Sequence, residues 1–170
     1  LLADEYDQRY GLDRQVRNQI AEINYGHAKR NPLAQTRQWK FAENSFCEDD
    51  TLNPMIEPGV RRLHCGQITD GACAIVLASE KFAAHYRKTR KQTGSIARIK
   101  GWGHRNAGIR YRDKVERSKD STFVFPHVRE AIEDSFRRAG IAEVHQLDGI
   151  ETHDCFSMTE YMAIDHFGIT

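Results

Sequence analysis

The sequence predicts an α/β fold built on a parallel sheet, and three observations carry that expectation. Residues 72–78 are apolar and small on both faces, as a strand covered on both sides must be. From Ile96 onward the patterns run strand, helix, strand, helix, the order that implies parallel strands joined by right-handed crossovers. An apolar run over 147–151 then passes through His153-Asp154-Cys155-Phe156 into a helical pattern. Such a strand-to-helix turn is where an α/β fold presents chemistry, because the strand fixes position and the helix N-terminus adds partial positive charge.

Residues 1–5 have the composition of a helix interior. Asp13 can cap a helix over about 14–27, where Val16, Ile20 and Ile23 fall at helical spacing and Ala28 extends the face. Residues 31–59 are loop-rich, with Pro32, Pro54, Pro58 and the acidic run Glu48-Asp49-Asp50, and read as an excursion from a core. The turn Thr69-Asp70-Gly71 introduces the first strand, 72–78, and a short helix is expected over 80–88. The second strand, 96–100, ends at Gly101-Trp102-Gly103. After a polar loop, Pro126 suits a first helical position, Val128, Ile132 and Phe136 form a stripe, and Gly140 closes the helix. The third strand is 147–151. Ser157 and Glu160 are then spaced as a capping box for a last helix carrying Tyr161, Ile164 and Phe167.

Composition bounds the function classes. The 170 residues suffice for one ordinary core or two small ones, and 39% are hydrophobic and 29% charged. A formal net charge of +1 supplies no bulk attraction to nucleic acid or acidic lipid. No apolar run approaches the roughly 18 residues of a membrane span. Cys47, Cys65, Cys73 and Cys155 form no CxxC pair and read as reduced thiols of an intracellular protein. Both ends look cut, and the chain is expected to be an internal fragment of a longer one.

Several side chains could carry chemistry. His153 at the strand end could act as an acid, a base or a hydrogen-bond donor. In the blander reading, Asp154 and Ser157 satisfy helix amides and Cys155 fills space. A zinc site from His153, Cys155, His64 and Cys65 lacks the spaced pairs of structural zinc. Cys155 beside a helix N-terminus, or Cys65 among basic neighbours, could be a nucleophile. His64 and Cys65, however, would point to opposite faces of a strand. Residues 87–119 hold twelve Lys or Arg against Asp113 and Glu116, with Trp102 and Tyr111 interleaved. That stretch reads as a solvated face, with phosphate binding as the alternative. Gly101-Trp102-Gly103 lacks the spacing and acidic partner of a dinucleotide loop.

Taken together, 69–77, Ile99-Lys100-Gly101-Trp102-Gly103, Ala139-Gly140-Ile141 and 150–156 resemble the thiolase superfamily. The His-Asp-Cys-Phe form, in place of the commoner Asn-Glu-Ala-Phe, is similar to sterol-carrier-protein-type thiolases and the bacterial acetyl-CoA acetyltransferases sharing it. The resemblance implies a thiolase-like α/β fold of two similar halves. Residues 1–62 would be part of an inserted loop domain, 63–95 the end of the first half and connector, and 96–170 the start of the second half. It implies an acyltransferase acting on acyl-CoA or 3-ketoacyl-CoA thioesters, with coenzyme A carried by the substrate and neither cofactor nor metal. His153 would stand in the oxyanion hole of the thioester enolate, and Cys155 would be structural. The family's nucleophilic cysteine and its later His and Cys match nothing here, so the fragment alone is expected to be inactive. A homodimer or homotetramer, cytoplasmic or, in a eukaryote, peroxisomal, is implied for the whole protein. A non-catalytic thiolase-like subunit or lipid-binding partner is the alternative.

Overall fold

In the computed structural model, which describes residues 2–91 and 93–170, two helices open the chain: α1 (Leu2–Tyr10) and α2 (Arg14–Arg30). The helix expected at the start is thus present from Leu2, and Leu1 lies outside the described residues. Asp13 caps α2 as its sequence position suggested, its carboxylate accepting from the Gln15 and Val16 amides at 2.9 and 3.1 Å. A hairpin of β1 (Met55–Glu57) and β2 (Val60–Arg61) follows, then a 3-10 turn (Arg62–His64). The rest is helical or extended: α3 (Glu80–Arg90), α4 (Tyr111–Ser118), α5 (Pro126–Ala139) and α6 (Ser157–Phe167).

The core forms where α1, the segment before α5 and α6 meet. Ala3, Tyr6, Val124, Met158 and Met162 are buried there, with Leu12, Phe125 and Tyr161 packed against them. Tyr6 meets Tyr161 edge-on, ring centres 5.5 Å apart. His166 belongs to the same packing. It accepts from the Phe125 amide at 3.0 Å through Nε2 and donates from Nδ1 to the Met162 carbonyl at 2.5 Å, so both polar ends of a buried ring are satisfied.

Three expectations require correction. The segments read as strands, 72–78, 96–100 and 147–151, join no ladder; β1 and β2 form the sheet seen among the described residues. Ile75, Val76, Leu77 and Ile99 are exposed. A strand leaves its amides and carbonyls unpaired until a neighbour arrives, so apolar pattern alone builds no sheet. The second correction concerns α2, whose buried face is Arg17, Asn18, Ile20 and Ala21, while Val16 and Ile23 stay exposed. Polar groups elsewhere in the chain recruit that face, as shown below. Thirdly, the Ser157–Glu160 capping box is absent. Phe156 takes the N-cap position, Ser157 is already helical, and its hydroxyl is buried with no partner among the described residues.

Gly101-Trp102-Gly103 has a packing role. The segment lies against the backbone of α5, so a Cβ on Gly103 would fall 1.8 Å from the Ala131 carbonyl oxygen, and one on Gly101 2.2 Å from that of Ser135. Arg138 of the same helix also holds the segment, its guanidinium 5.0 Å from the Trp102 ring centre. Gly103→Ala should therefore force segment and helix apart and cost about 1–3 kcal/mol or more, read as a lowered urea midpoint. An unchanged midpoint would show that the close approach is dispensable.

Part of the basic stretch is spent on intramolecular pairs. Arg105 bridges Glu130 (2.9 Å) and Asp134 (2.6 Å) on α5, and Arg117 lies 3.6 Å from Glu130. Hydrogen bonds from Arg137 and Arg105 pull the Asp134 carboxyl down to about 2. No helix among the described residues is long and apolar enough to cross a membrane.

Candidate functional site

The His-Asp-Cys-Phe turn is fixed from two directions. On one side the Gly66 amide donates to the Cys155 carbonyl at 2.7 Å, and Cys65 bridges Phe156 in antiparallel fashion. A side chain on Gly66 would press its Cβ to 3.1 Å from the Cys155 oxygen, which favours glycine at that crossing. On the other side α6 begins at once, with the Thr159 amide donating to the Phe156 carbonyl at 2.7 Å.

Neighbouring side chains of the turn divide. His153 is exposed, and among the described residues no hydrogen bond or ion pair engages its ring. Asp154 points inward to α2. The Asn24 amide donates to Asp154 Oδ2 and, at 2.7 Å, to Glu160 Oε2, so one side chain of α2 clasps two carboxyls. Asp154 Oδ1 is buried and, among the described residues, finds no hydrogen-bond partner. Burial, followed by the adjacent Glu160 charge, pushes the Asp154 carboxyl up to about 7. A cavity of about 180 Å³ opens here between α2, residues 62–67 and the start of α6, lined among others by Asn24, Tyr25, Cys65, Gly66, Asp154 and Ser157.

Beneath the cavity lies a buried polar network. His64 Nδ1 accepts from the Arg61 amide at 3.2 Å, which places the ring proton on Nε2, facing Asn18 Oδ1 at 2.6 Å. Asn18 in turn donates to Glu48 Oε1 at 2.9 Å, and Arg17 donates to the Gly59 carbonyl at 2.5 Å. The polar face of α2 is buried because it supplies these partners. Burial, then the charges of Arg17 and Arg61, hold His64 down at about 4.

That depression has a signed consequence. An unfolded chain protonates this histidine below about pH 6.5, whereas the folded chain resists until about pH 4. The contribution is complete above pH 6.5 and is lost as pH falls toward 4, a difference worth roughly 3 kcal/mol. The Tm of the wild type should thus drop more steeply than that of His64→Gln between those pH values. Parallel Tm curves would show that His64 titrates alike in both states.

The structure separates the other sequence candidates. Both ring nitrogens of His64 are engaged, and no group of three His, Cys, Asp or Glu able to hold a metal occurs among the described residues. Burial pushes the Cys65 thiol up, away from a reactive thiolate, and its Sγ faces the Arg61 carbonyl at 3.5 Å. Cys155 is exposed, and no hydrogen bond joins it to His153 among the described residues. Asn24 and Glu160 as clasp partners of Asp154 were missed from sequence. The available signal was the set Arg17, Asn18 and Asn24, polar residues returning to one side of an otherwise ordinary helix.

Comparison with known proteins bears out the resemblance drawn from the motifs. Over 99% of its length the chain is 27% identical to the acetyl-CoA acetyltransferase of Methanothermobacter thermautotrophicus, of which it covers 39%. It is 24% identical over 97% of its length to sterol carrier protein 2 of Gallus gallus, covering 28% of that protein. The non-specific lipid-transfer protein-like 2 of Caenorhabditis elegans is 26% identical over 98% of the chain and is covered to 38%. The chain therefore spans between about a quarter and two-fifths of these relatives. No family model matches it, and no solved structure matches it significantly.

Proposed function

We propose that this chain is a central part of a thiolase-type acyltransferase acting on acyl-CoA or 3-ketoacyl-CoA thioesters, with His153 donating to the enolate oxygen. The observation that carries the reading is the His-Asp-Cys-Phe turn itself, which presents an unengaged His153 ring to solvent at the start of α6 while Asp154 turns inward. Similarity to an acetyl-CoA acetyltransferase along nearly the whole chain supports it. On this reading residues up to about 62 belong to a loop domain, 63–95 end one half and 96–170 begin the other. The exposed apolar segments at 75–77 and 99 then pair with strands of the larger, oligomeric protein.

The chemistry asks for such a donor. Forming or cleaving the bond next to a thioester carbonyl places negative charge on its oxygen, and a preorganised N–H lowers that barrier. A neutral imidazole supplies one N–H, and its length lets it reach the oxygen directly.

The test is covalent. Incubating the full-length protein with acetyl-CoA should add one acetyl group to a cysteine outside residues 1–170, seen by mass spectrometry, and acetoacetyl-CoA should be thiolysed. A second reading, a non-catalytic thiolase-like subunit or lipid-binding partner, is favoured by the lipid-transfer names among the relatives. It predicts no acetylated cysteine and no thiolysis.

A further inference from the structure

Asp154 stands at an unusual junction. Its Oδ2 and Glu160 Oε2 converge on the single amide of Asn24, so the two carboxyls face each other across one donor group. Among the described residues its other oxygen, Oδ1, is buried and unpartnered, as is the hydroxyl of Ser157, which is 3% exposed and lines the same cavity. Two ionised carboxylates in this arrangement would repel, and Asp154 would keep one desolvated charged oxygen without a donor. The ionisable groups facing it offer no relief. They are Glu160 from α6, Tyr25 from α2, and His64 and Cys65 from residues 62–67, and among the described residues no arginine or lysine lines the cavity. His64 is held neutral by burial and its two hydrogen bonds.

We propose that Asp154 and Glu160 share one proton, and that this singly charged pair, clasped by Asn24, locks the turn onto α2 and so fixes the direction in which His153 points. Asp154 is then a positioning residue, acting through His153, and this part rests on the role given to His153 above. Deprotonating the pair places two negative charges beside one amide, loosens the clasp and frees the turn. The balance is simple: one proton leaves the pair to water, and nothing else is exchanged. Asp154→Asn reproduces the protonated Asp154, since its amide can donate to Glu160 while its oxygen accepts from Asn24.

Carboxyl-detected NMR of the full-length protein, with aspartate labelled in its side chain, reads the proton directly. One aspartate should titrate near neutrality, should vanish from the spectrum in Asp154→Asn, and should move to lower pH in Glu160→Gln. The backbone amides of His153 and Cys155 should shift with the same midpoint in the wild type and stay flat through it in Asp154→Asn. If every aspartate titrates near its ordinary value of about 4, no proton is shared and the proposal fails, whatever the protein catalyses. It fails equally if the His153 amide ignores the titration. In the thiolysis assay, kcat should fall above neutral pH in the wild type, remain level in Asp154→Asn, and be low throughout in Asp154→Ala. A profile identical in wild type and Asp154→Asn removes the positioning role. A wild type without thiolysis overturns the acyl-transfer reading instead, while the two NMR results still decide whether the proton is shared and the turn responds to it.

Discussion

Replacing His153 by alanine in the full-length protein should lower kcat for acetoacetyl-CoA thiolysis by about a hundred- to a thousandfold, the usual cost of deleting one oxyanion donor. The KM should change little, because the interaction is made in the transition state and not in the ground state. The fold should tolerate the change, since the side chain is exposed and no hydrogen bond or ion pair engages it among the described residues. This separates His153 from its neighbour Asp154, whose loss unties the turn from α2. His153→Asn should fall between wild type and alanine, as a shorter side chain keeps an N–H but leaves a gap to the oxygen. Turnover of His153→Ala within a few-fold of the wild type would falsify the assignment.

What could be read in the sequence was local. Asp13 capping α2, Pro126 opening α5 and Gly140 closing it all depend on residues within one or two turns, and each stands where its pattern placed it. The resemblance drawn from the His-Asp-Cys-Phe turn was legible for the same reason. Pairings between distant residues were not. Nothing near Asn24 announces that it will hold carboxyls 130 and 136 positions away, yet that contact, where Asn24 takes up the Glu160 carboxylate, stands in place of the capping box that Ser157 and Glu160 spell out. The strands failed likewise, because an apolar run such as 72–78 states a readiness to pair and says nothing of the partner. Helix α2 shows the converse error. Its apolar residues suggested the buried face, while burial followed the polar residues that Glu48, His64 and Asp154 require.

The largest loss of stability is expected at Arg61, which the sequence offers only as one of two adjacent arginines. Its side chain is 6% exposed and donates to four oxygens: Glu48 Oε2 at 2.9 Å, Asp50 Oδ1 at 2.6 Å, the Asn53 carbonyl at 2.8 Å and the Glu48 carbonyl at 2.6 Å. Burial alone would raise Glu48, yet the hydrogen bonds from Arg61 and Asn18 hold its carboxyl below the usual range. Arg61→Ala therefore takes this donor from two carboxylates and two carbonyls at once, and should cost about 3–5 kcal/mol. Arg61→Lys keeps the charge but replaces a planar fork with a point donor, which cannot span oxygens on three sides, so it should recover a part of that loss. Asn53, fully buried, accepts from the Leu63 amide at 2.9 Å and donates to the Cys47 carbonyl at 3.1 Å, so the loop around it should loosen together with Arg61. The damage should also reach the cavity, because the Arg61 amide orients His64. Urea unfolding of wild type, Arg61→Ala, Glu48→Gln and the double variant measures it. The two single changes should be strongly non-additive. A loss below about 1 kcal/mol for Arg61→Ala would place the pair among the weak surface bridges and deny it the structural role its burial implies.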